Sequence, residues 1–110
     1  MLNTVTVMGR ICADTELRYT QSKAPVLSFT VAVDRDYKTQ DGERATDFID
    51  CVAWHNKAEF ISKFFSKGSM IIVSGALQTR TWEDKNGGKH KACEVNVENI
   101  YFGEPKRREE

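Results

Sequence analysis

Residues 26–54 read VLSFTVAVDRDYKTQDGERATDFIDCVAW, two alternating segments joined by a polar loop. In the first segment, 26–36, the apolar residues Leu27, Phe29, Val31 and Val33 occupy every second position, which is called one parity of the strand. In the second segment, 46–54, one parity carries Ile49, Cys51 and Ala53. A period of two residues is typical of a strand that buries one face. The loop KTQDGER, at 38–44, contains an Asp-Gly turn signal, so we expect a long hairpin.

The same alternation predicts strands at 3–12, 69–82 and 92–102, with inward positions Val5, Val7, Gly9, Ile11, Ile71, Val73, Gly75, Leu77, Val95 and Val97. ELRYT, at 16–20, is a short extended piece, and EDKNGGKHK, at 83–91, is a hairpin loop. NKAEFISKFFSKG, at 56–68, changes to a helical period, with an apolar face of Ala58, Phe60, Ile61, Phe64 and Phe65. Asn56 is the predicted N-cap and Gly68 the predicted C-terminal stop.

The resulting order is β-β-β-α-β-β, with one short helix between the third and fourth strands. Five short antiparallel strands need a way to hide their edges, and closure into a small barrel provides one. Glycines within strands, Gly9 and Gly75, suit the sharp coiling of such a barrel. We therefore predict an all-β, five-stranded OB-fold barrel as one domain over 1–103, followed by a short charged tail over 104–110.

Composition limits the function classes. The chain has 110 residues, 40% hydrophobic and 29% charged, which is typical of one globular domain and excludes a disordered chain. The three cysteines, Cys12, Cys51 and Cys93, form no CxxC pair, so we expect small buried or half-buried residues and no zinc site, disulfide framework or other cofactor. With no apolar span and no signal peptide at MLNTVTVMGRIC, we expect a cytoplasmic protein without membrane contact.

Four aromatic side chains lie among charged or hydroxyl residues: Tyr37, Phe48, Trp54 and Trp82. Three of them have the outward or mixed parity of their strands, and Val52 is expected to add apolar surface between Phe48 and Trp54. Tyr37 instead has the parity of the core. Either its strand contains a bulge, or the barrel core has ended by Arg35. Exposed rings beside cations are the arrangement that stacks nucleic-acid bases and contacts phosphates.

Basic residues accompany these rings, although the net charge is zero. The candidates for phosphate contact are Arg35 beside Tyr37, Lys57 after Trp54, Arg80 before Trp82, Lys85 and Lys89 in the hairpin loop, and Arg10 and Arg18 near the start. A single lysine is more often part of a solvated face, so the joint pattern carries the hypothesis.

Two other function classes compete with nucleic-acid binding. An enzyme is disfavoured because His55 and His90 are far apart and accompany no nucleophile–base pattern, and because KNGGK resembles a hairpin turn more than a phosphate loop. An assembly adaptor would bury the same rings in a protein interface, where aromatic residues are also enriched.

The chain resembles the bacterial single-stranded DNA-binding protein family over residues 1–103. The segments that carry the resemblance are LNTVTVMGRICADTELRYT, VLSFTVAVDRDYK, GERATDFIDCVAW, KGSMIIVSGALQTRTWED and EVNVENIYF. The resemblance implies sequence-independent binding and protection of single-stranded DNA in replication, recombination and repair. It also implies a homo-oligomer, typically a tetramer, at the nucleoid. It matches the stacking positions to Tyr37, Phe48, Trp54 and Trp82, and family backbone-contact positions to Arg10, Arg18, Lys67 and Arg80.

Two departures from the family pattern qualify this expectation. Positions 37 and 48 are often tryptophan in the family and are Tyr37 and Phe48 here, so smaller rings should stack less strongly. The family usually continues through a flexible linker to an acidic tip that recruits replication and repair proteins. The sequence ends in GEPKRREE, which puts recruitment by that route in doubt. A DNA-binding core alone and a natural short form both fit this ending.

Overall fold

The structure is a computed structural model that describes residues 1–38 and 40–104. Its elements are β1 (Val5–Ile11), β2 (Arg18–Tyr19), β3 (Pro25–Lys38), β4 (Arg44–Trp54), α1 (Asn56–Phe64), β5 (Met70–Glu83) and β6 (Lys89–Phe102). The tail predicted at 104–110 lies outside the described residues from position 105 onward. The domain boundary at 103 therefore stays a prediction.

Five of these strands form a closed barrel. Neighbouring strands pair in the order β1–β5–β6–β4–β3, and a further pairing of β1 with β3 closes the ring. The closing pairs are Arg10 with Ala32 and Ile11 with Val31. This confirms the predicted five-stranded OB-fold with its helix between the third and fourth barrel strands. The two-residue β2 lies at the edge, paired with the start of β3.

The direction of one strand pair differs from the prediction of antiparallel strands throughout. β4 and β6 run parallel, pairing at Cys51 with Val95 and at Val52 with Asn96. The reason is geometric: directions cannot alternate all the way around a ring with an odd number of strands. A closed five-stranded barrel must therefore contain a parallel pair.

Two glycines allow the strands to coil tightly enough for closure. A Cβ at Gly9 would collide with the carbonyl oxygen of Ala32 on β3, next to the point where β1, still paired with β5, also begins to pair with β3. A Cβ at Gly75 would collide with the carbonyl oxygen of Asn96, at a register shift between β5 and β6. Both positions agree with the role predicted for them, because only glycine leaves room for such close backbone approach.

The predicted inward parity forms most of the core, with two corrections. Buried residues from β1, β3, β4, β5, β6 and α1 make one cluster, whose largest fully buried side chains include Ile11, Leu27, Val31, Ile61, Ile71, Val73 and Val95. Leu77 is 43% exposed, because β5 has by then left the barrel and its last seven residues are all exposed. Val52 is only 7% exposed, so it adds no apolar surface to the outer face. Its strand is paired on both sides at that level, with Ser28 and Asn96.

Helix α1 is shorter than predicted, and both predicted end signals were wrong. It begins at Asn56, so the N-cap position belongs to His55, which adopts φ 57° because a single residue turns the chain from β4 into the helix. The helix ends at Phe64 because Phe65 is extended. Gly68 lies later, in a turn at φ 88°, where its N–H donates to the Ile11 carbonyl at 2.8 Å.

The apolar face of α1 also needs a correction at its end. Ala58, Ile61 and Phe65 are buried as predicted, whereas Phe64 is half exposed. Its ring packs against Phe60, with 4.9 Å between the ring centroids. The helix therefore closes one end of the barrel with an aromatic cluster that is partly open to solvent.

The strands of the β5–β6 hairpin extend further than the sequence pattern predicted, and the loop between them is correspondingly shorter. Glu83 and Lys89 form the last cross-strand pair, so the loop is only 84–88 rather than 83–91. The turn fits Gly87, which has φ 81°. Lys89 consequently lies on a strand, and Lys85 lies in the turn.

The three cysteines differ in environment. Cys51 is buried, and this burial raises its thiol pKa to about 12, with a further contribution from the charge of Asp50. Cys12 is half-buried. Cys93 is exposed, contrary to prediction, because it lies on the β5–β6 arm beyond the barrel. Within 1–38 and 40–104, no helix is long and apolar enough to cross a membrane.

Candidate nucleic-acid interface

The outer face of β3 and β4 presents two of the predicted rings. Phe48 is 68% exposed and Trp54 is 39% exposed, on the parity opposite to the buried Cys51 and Ala53. Six residues separate them on one strand, which corresponds to about 20 Å. Sequence parity therefore assigned both rings to the correct face.

Tyr37 is also exposed, on the part of β3 that extends beyond the barrel core. β3 is irregular there, because it advances four residues from Asp34 to Lys38 while its partner β4 advances two. An excess of two residues leaves the alternation of faces unchanged, so this irregularity does not by itself turn Tyr37 outward. Residues 34–37 are exposed on both faces of the strand, and Tyr37 is 62% exposed. The burial therefore supports the second of the two explanations that the sequence left open, in which the barrel core has ended by Arg35.

Arg35 is held in place beside Tyr37. Its guanidinium donates to both carboxylate oxygens of Asp47, at 3.0 and 2.9 Å, and to the Tyr37 hydroxyl at 3.2 Å. These bonds raise the pKa of Arg35 and lower that of Asp47. Arg35 can thus orient the tyrosine ring, while much of its own hydrogen-bonding capacity is already used.

Trp82 has a different environment, on the β5–β6 hairpin. The Arg80 guanidinium carbon lies over its ring, 4.6 Å from the centroid. His90, directly opposite on β6, stacks against the same indole with centroids 5.3 Å apart and planes 21° apart. Trp82 is 42% exposed. The ring is therefore accessible but already packed against two side chains of its own hairpin.

Asp84 organises the turn next to this stack. Its Oδ1 accepts N–H groups from Asn86 and Gly88 at 2.9 and 2.7 Å, and its Oδ2 lies 2.7 Å from His90 Nε2. The hydrogen bond with His90 is the main reason why the pKa of Asp84 is lowered, followed by the bond from Gly88. The turn thereby fixes the position of the imidazole that stacks on Trp82.

The sheet register places an arginine near each of the other rings too. Arg10 is opposite Ala32, and Ala32 is opposite Phe48, so all three lie in one row on the outer face. Arg18 is opposite Val26, which is opposite Trp54. A row of three strands spans about 10 Å. The structure therefore brings one predicted arginine near each predicted ring.

All four of these arginines are in salt bridges. The nitrogen–oxygen distances are 3.6 Å for Arg10 with Glu104, 3.4 Å for Arg18 with Glu16, 2.9 Å for Arg35 with Asp47 and 3.6 Å for Arg80 with Glu94. Arg10 also donates to the Gly68 carbonyl at 2.8 Å. Exposed pairs of this kind are weak, so a phosphate can compete for the guanidinium groups.

The predicted lysines are placed differently. Lys85 lies in the hairpin turn and Lys89 directly after it, Lys57 is in the first turn of α1, and Lys67 follows the helix, next to Gly68. Over the described ranges 1–38 and 40–104, none of these four forms a salt bridge with a described partner. Only Lys85 and Lys89 share an element or turn with a predicted ring. Lys57 and Lys67 lie outside the outer face of β3 and β4.

Comparison with known proteins gives one consistent family. The model of the single-strand binding protein family matches residues 2–103. The chain belongs to this family. It is 45% identical over 106 residues to the single-stranded DNA-binding protein of Caldanaerobacter subterraneus subsp. tengcongensis. It is 47% identical over 106 residues to single-stranded DNA-binding protein A of Bacillus subtilis.

The matches cover nearly all of this chain but only part of the relatives. Each of the two alignments covers 96% of the chain, and 71% and 62% of the respective relative. Single-stranded DNA-binding protein 2 of Listeria monocytogenes is 45% identical, and 66% of its length is covered. The chain therefore spans less than two thirds of the length of two of these single-strand binding relatives.

Sequence reasoning missed several residues of this family member's candidate interface. His90 was considered only as a possible catalytic residue, although its place opposite Trp82 follows once the N-G and G-G turn is centred correctly. The carboxylates that bind the arginines were also missed. Glu94 and Glu104 come from distant positions, and no local signal in the sequence pairs them with Arg80 and Arg10.

Proposed function

We propose that this chain binds single-stranded DNA without catalysis, and protects it during replication, recombination and repair. The single observation that carries the proposal is the set of four exposed rings, each with an arginine nearby, on one OB-fold barrel and its hairpin. Its family relatives are named single-stranded DNA-binding proteins. Aromatic platforms beside cations bind single strands because every base has a flat face and every phosphate carries a charge.

In the proposed complex, bases stack on Tyr37, Phe48, Trp54 and Trp82. The arginines exchange their carboxylate partners for phosphates, or position the rings as Arg35 does for Tyr37. Lys85 and Lys89 contact phosphates near Trp82, where neither lysine has a salt bridge to a described residue that it would have to break. Stacking and charge do not read base edges, so the overall sequence preference is weak.

The proposal includes a homo-oligomer, a tetramer as is typical of the family, working in the cytoplasm at the nucleoid. The outward face of β1, continued by Thr4 just before the strand, supports association, because Thr6 and Arg10 accompany a half-exposed Met8 there. Light scattering with and without oligonucleotide gives the subunit count and the binding ratio together. A monomer in both conditions would contradict the oligomer.

Fluorescence anisotropy of labelled oligo(dT) tests the binding proposal directly. We expect tight binding at low salt, displacement by unlabelled oligo(dT) and weak displacement by an oligo(dA)·oligo(dT) duplex, whose bases are not free to stack. No binding at low salt would refute the proposal and leave the adaptor function as the better account of the exposed rings.

A further inference from the structure

A second exposed aromatic surface lies at the end of the barrel that α1 closes. Phe64, the last residue of α1, is 40% exposed, and Phe102, the last residue of β6, is 46% exposed. Their rings meet edge to face, with 6.4 Å between the centroids, and Phe102 also stacks on the buried Phe65. These contacts anchor the two rings to the core, while a large part of each remains open to solvent.

Lysines accompany this pair of rings. The Nζ of Lys63 lies over the Phe64 ring, 5.4 Å from its centroid, and Lys67 follows three residues after that ring. Over residues 1–38 and 40–104, neither lysine forms a salt bridge with a described residue. Residues 56–67 contain three lysines and one acidic residue, Glu59. The surface therefore combines exposed rings with an excess of cations, which is the same chemistry as that of the candidate interface.

Arg10 connects this surface to the outer face of β3 and β4. It lies in the same row as Phe48, two strands away, which corresponds to about 10 Å. Its guanidinium donates at 2.8 Å to the carbonyl oxygen of Gly68, which directly follows Lys67. The same guanidinium lies 3.6 Å from the carboxylate of Glu104, two residues beyond the end of β6. A single strand that leaves Phe48 and passes Arg10 is therefore next to the barrel end.

We propose that the surface formed by Phe64, Phe102, Lys63 and Lys67, here called the barrel-end site, is a further contact site for single-stranded DNA. Strands long enough to continue past Arg10 reach it. A base packs against the exposed rings, and the two lysines contact phosphates. Lys63 is available for this contact because a cation over an exposed ring is only weakly held. This inference rests on the proposed binding of single-stranded DNA and adds a contact that depends on strand length.

A protein partner is the competing occupant of the barrel-end site, because aromatic residues are also enriched at protein interfaces. Two observations favour the nucleic acid. Lysine is depleted at protein interfaces, whereas lysines accompany the rings here. The second observation is continuity, since Arg10 of the candidate interface contacts the segments that follow α1 and β6, at Gly68 and Glu104.

A length series of oligo(dT) tests the proposal with the double variant Lys63→Gln, Lys67→Gln. For the shortest oligonucleotides that bind, we expect the variant and the unmodified protein to have equal affinity and equal salt dependence. Above a threshold length, the slope of log affinity against log salt should be smaller in the variant, by about 0.7 for each lysine replaced. Both lysines are exposed, so glutamine at these positions should leave the fold intact.

Lys91→Gln is the matched control, because it removes the same charge from β6 at a point about 35 Å along the strand from Phe102. Any effect of this control should be the same at every oligonucleotide length. A loss of affinity in the double variant that is likewise independent of length would overturn the inference, since the two lysines would then act only through the net charge of the protein.

Phe64→Trp provides a local reporter in a background of Trp54→Phe and Trp82→Phe, because the only tryptophan is then at the barrel end. Its emission should be quenched by oligo(dT) above the threshold length and unchanged by shorter oligonucleotides. Emission that stays unchanged at every length, while anisotropy shows that the oligonucleotide binds, would overturn the inference and leave the site to a protein partner. If the unmodified protein binds no oligonucleotide of any length, the proposed function itself fails, and the two failures are thereby distinguished.

Discussion

The outer face of β3 and β4 and the β5–β6 hairpin both present aromatic rings, but in opposite states. Phe48 is the most exposed of the four rings and lies next to small and paired polar side chains. Trp82 is already in contact with Arg80 and His90. The cations differ by residue type: Arg35 on the sheet and Arg80 at the hairpin are paired with carboxylates, whereas Lys85 and Lys89 at the hairpin form no salt bridge with any residue that the structure describes.

We therefore expect the sheet and the hairpin to contribute different parts of the binding energy. A base can stack on Phe48 without displacing any protein group, so the sheet should contribute most of the stacking energy. At Trp82 a base must replace or extend an existing stack, so less energy is gained there. The hairpin instead offers lysines whose charge is available to phosphates. Exposed rings alone would not have revealed this, since all four look alike in the sequence.

The largest expected effect is at the sheet. Phe48→Ala should weaken oligo(dT) binding by about 1–3 kcal/mol, because one base loses its platform. Phe48→Trp retains a ring and should bind at least as well as the unmodified protein. Anisotropy titration measures both. Equal affinity for the alanine variant and the unmodified protein would remove Phe48 from the interface.

The second largest effect on affinity is expected at Trp82, whose ring already contacts Arg80 and His90. Trp82→Ala should cost about 1 kcal/mol, at the lower end of the range for stacked bases, because His90 and Arg80 already satisfy part of the indole surface. In a His90→Ala background the same substitution should cost more, since the ring is then more open to a base. This double-mutant comparison would contradict the account if the cost were the same in both backgrounds.

The third effect separates phosphate contact from ring positioning. Lys89→Gln should reduce the slope of log affinity against log salt by about 0.7, the value for one phosphate contact on a single strand. Arg35→Gln should lower affinity through loss of the Tyr37 hydrogen bond and leave the slope unchanged. If Arg35→Gln reduced this salt slope more than Lys89→Gln did, Arg35 would be the residue that contacts phosphate and Lys89 would not.

The smallest effect is a pH dependence at the hairpin. The pKa of Asp84 is lowered in the folded state, so its contribution to the turn is present above the ordinary aspartate value of about 3.9 and is lost as the pH falls below it. The indole N–H resonance of Trp82 should move in that acidic range as the stack loosens. In Asp84→Asn, that movement should be absent. Identical titrations in both proteins would show that Asp84 does not hold the stack.

The sequence predicted what depends on local period and missed what depends on distant partners. Alternation identified five barrel strands and the outward position of Phe48, because parity is a local property. The irregularity of β3 before Lys38 and the exposure of Leu77 depend on where pairing partners stop, which no window of sequence contains. The salt bridge of Arg80 with Glu94 and the stack of His90 on Trp82 likewise require the exact register of the hairpin.

The central claim is that bases stack on exposed rings, and the chain has only two tryptophans, Trp54 and Trp82, one in each region. Tryptophan emission during titration with oligo(dT) at low salt therefore reports on both regions. The account predicts strong quenching that saturates at a fixed ratio of nucleotides to protein. The single-tryptophan variants Trp82→Phe and Trp54→Phe assign the signal, with the larger quenching expected from Trp54. Emission that stays unchanged throughout the titration would contradict the claim.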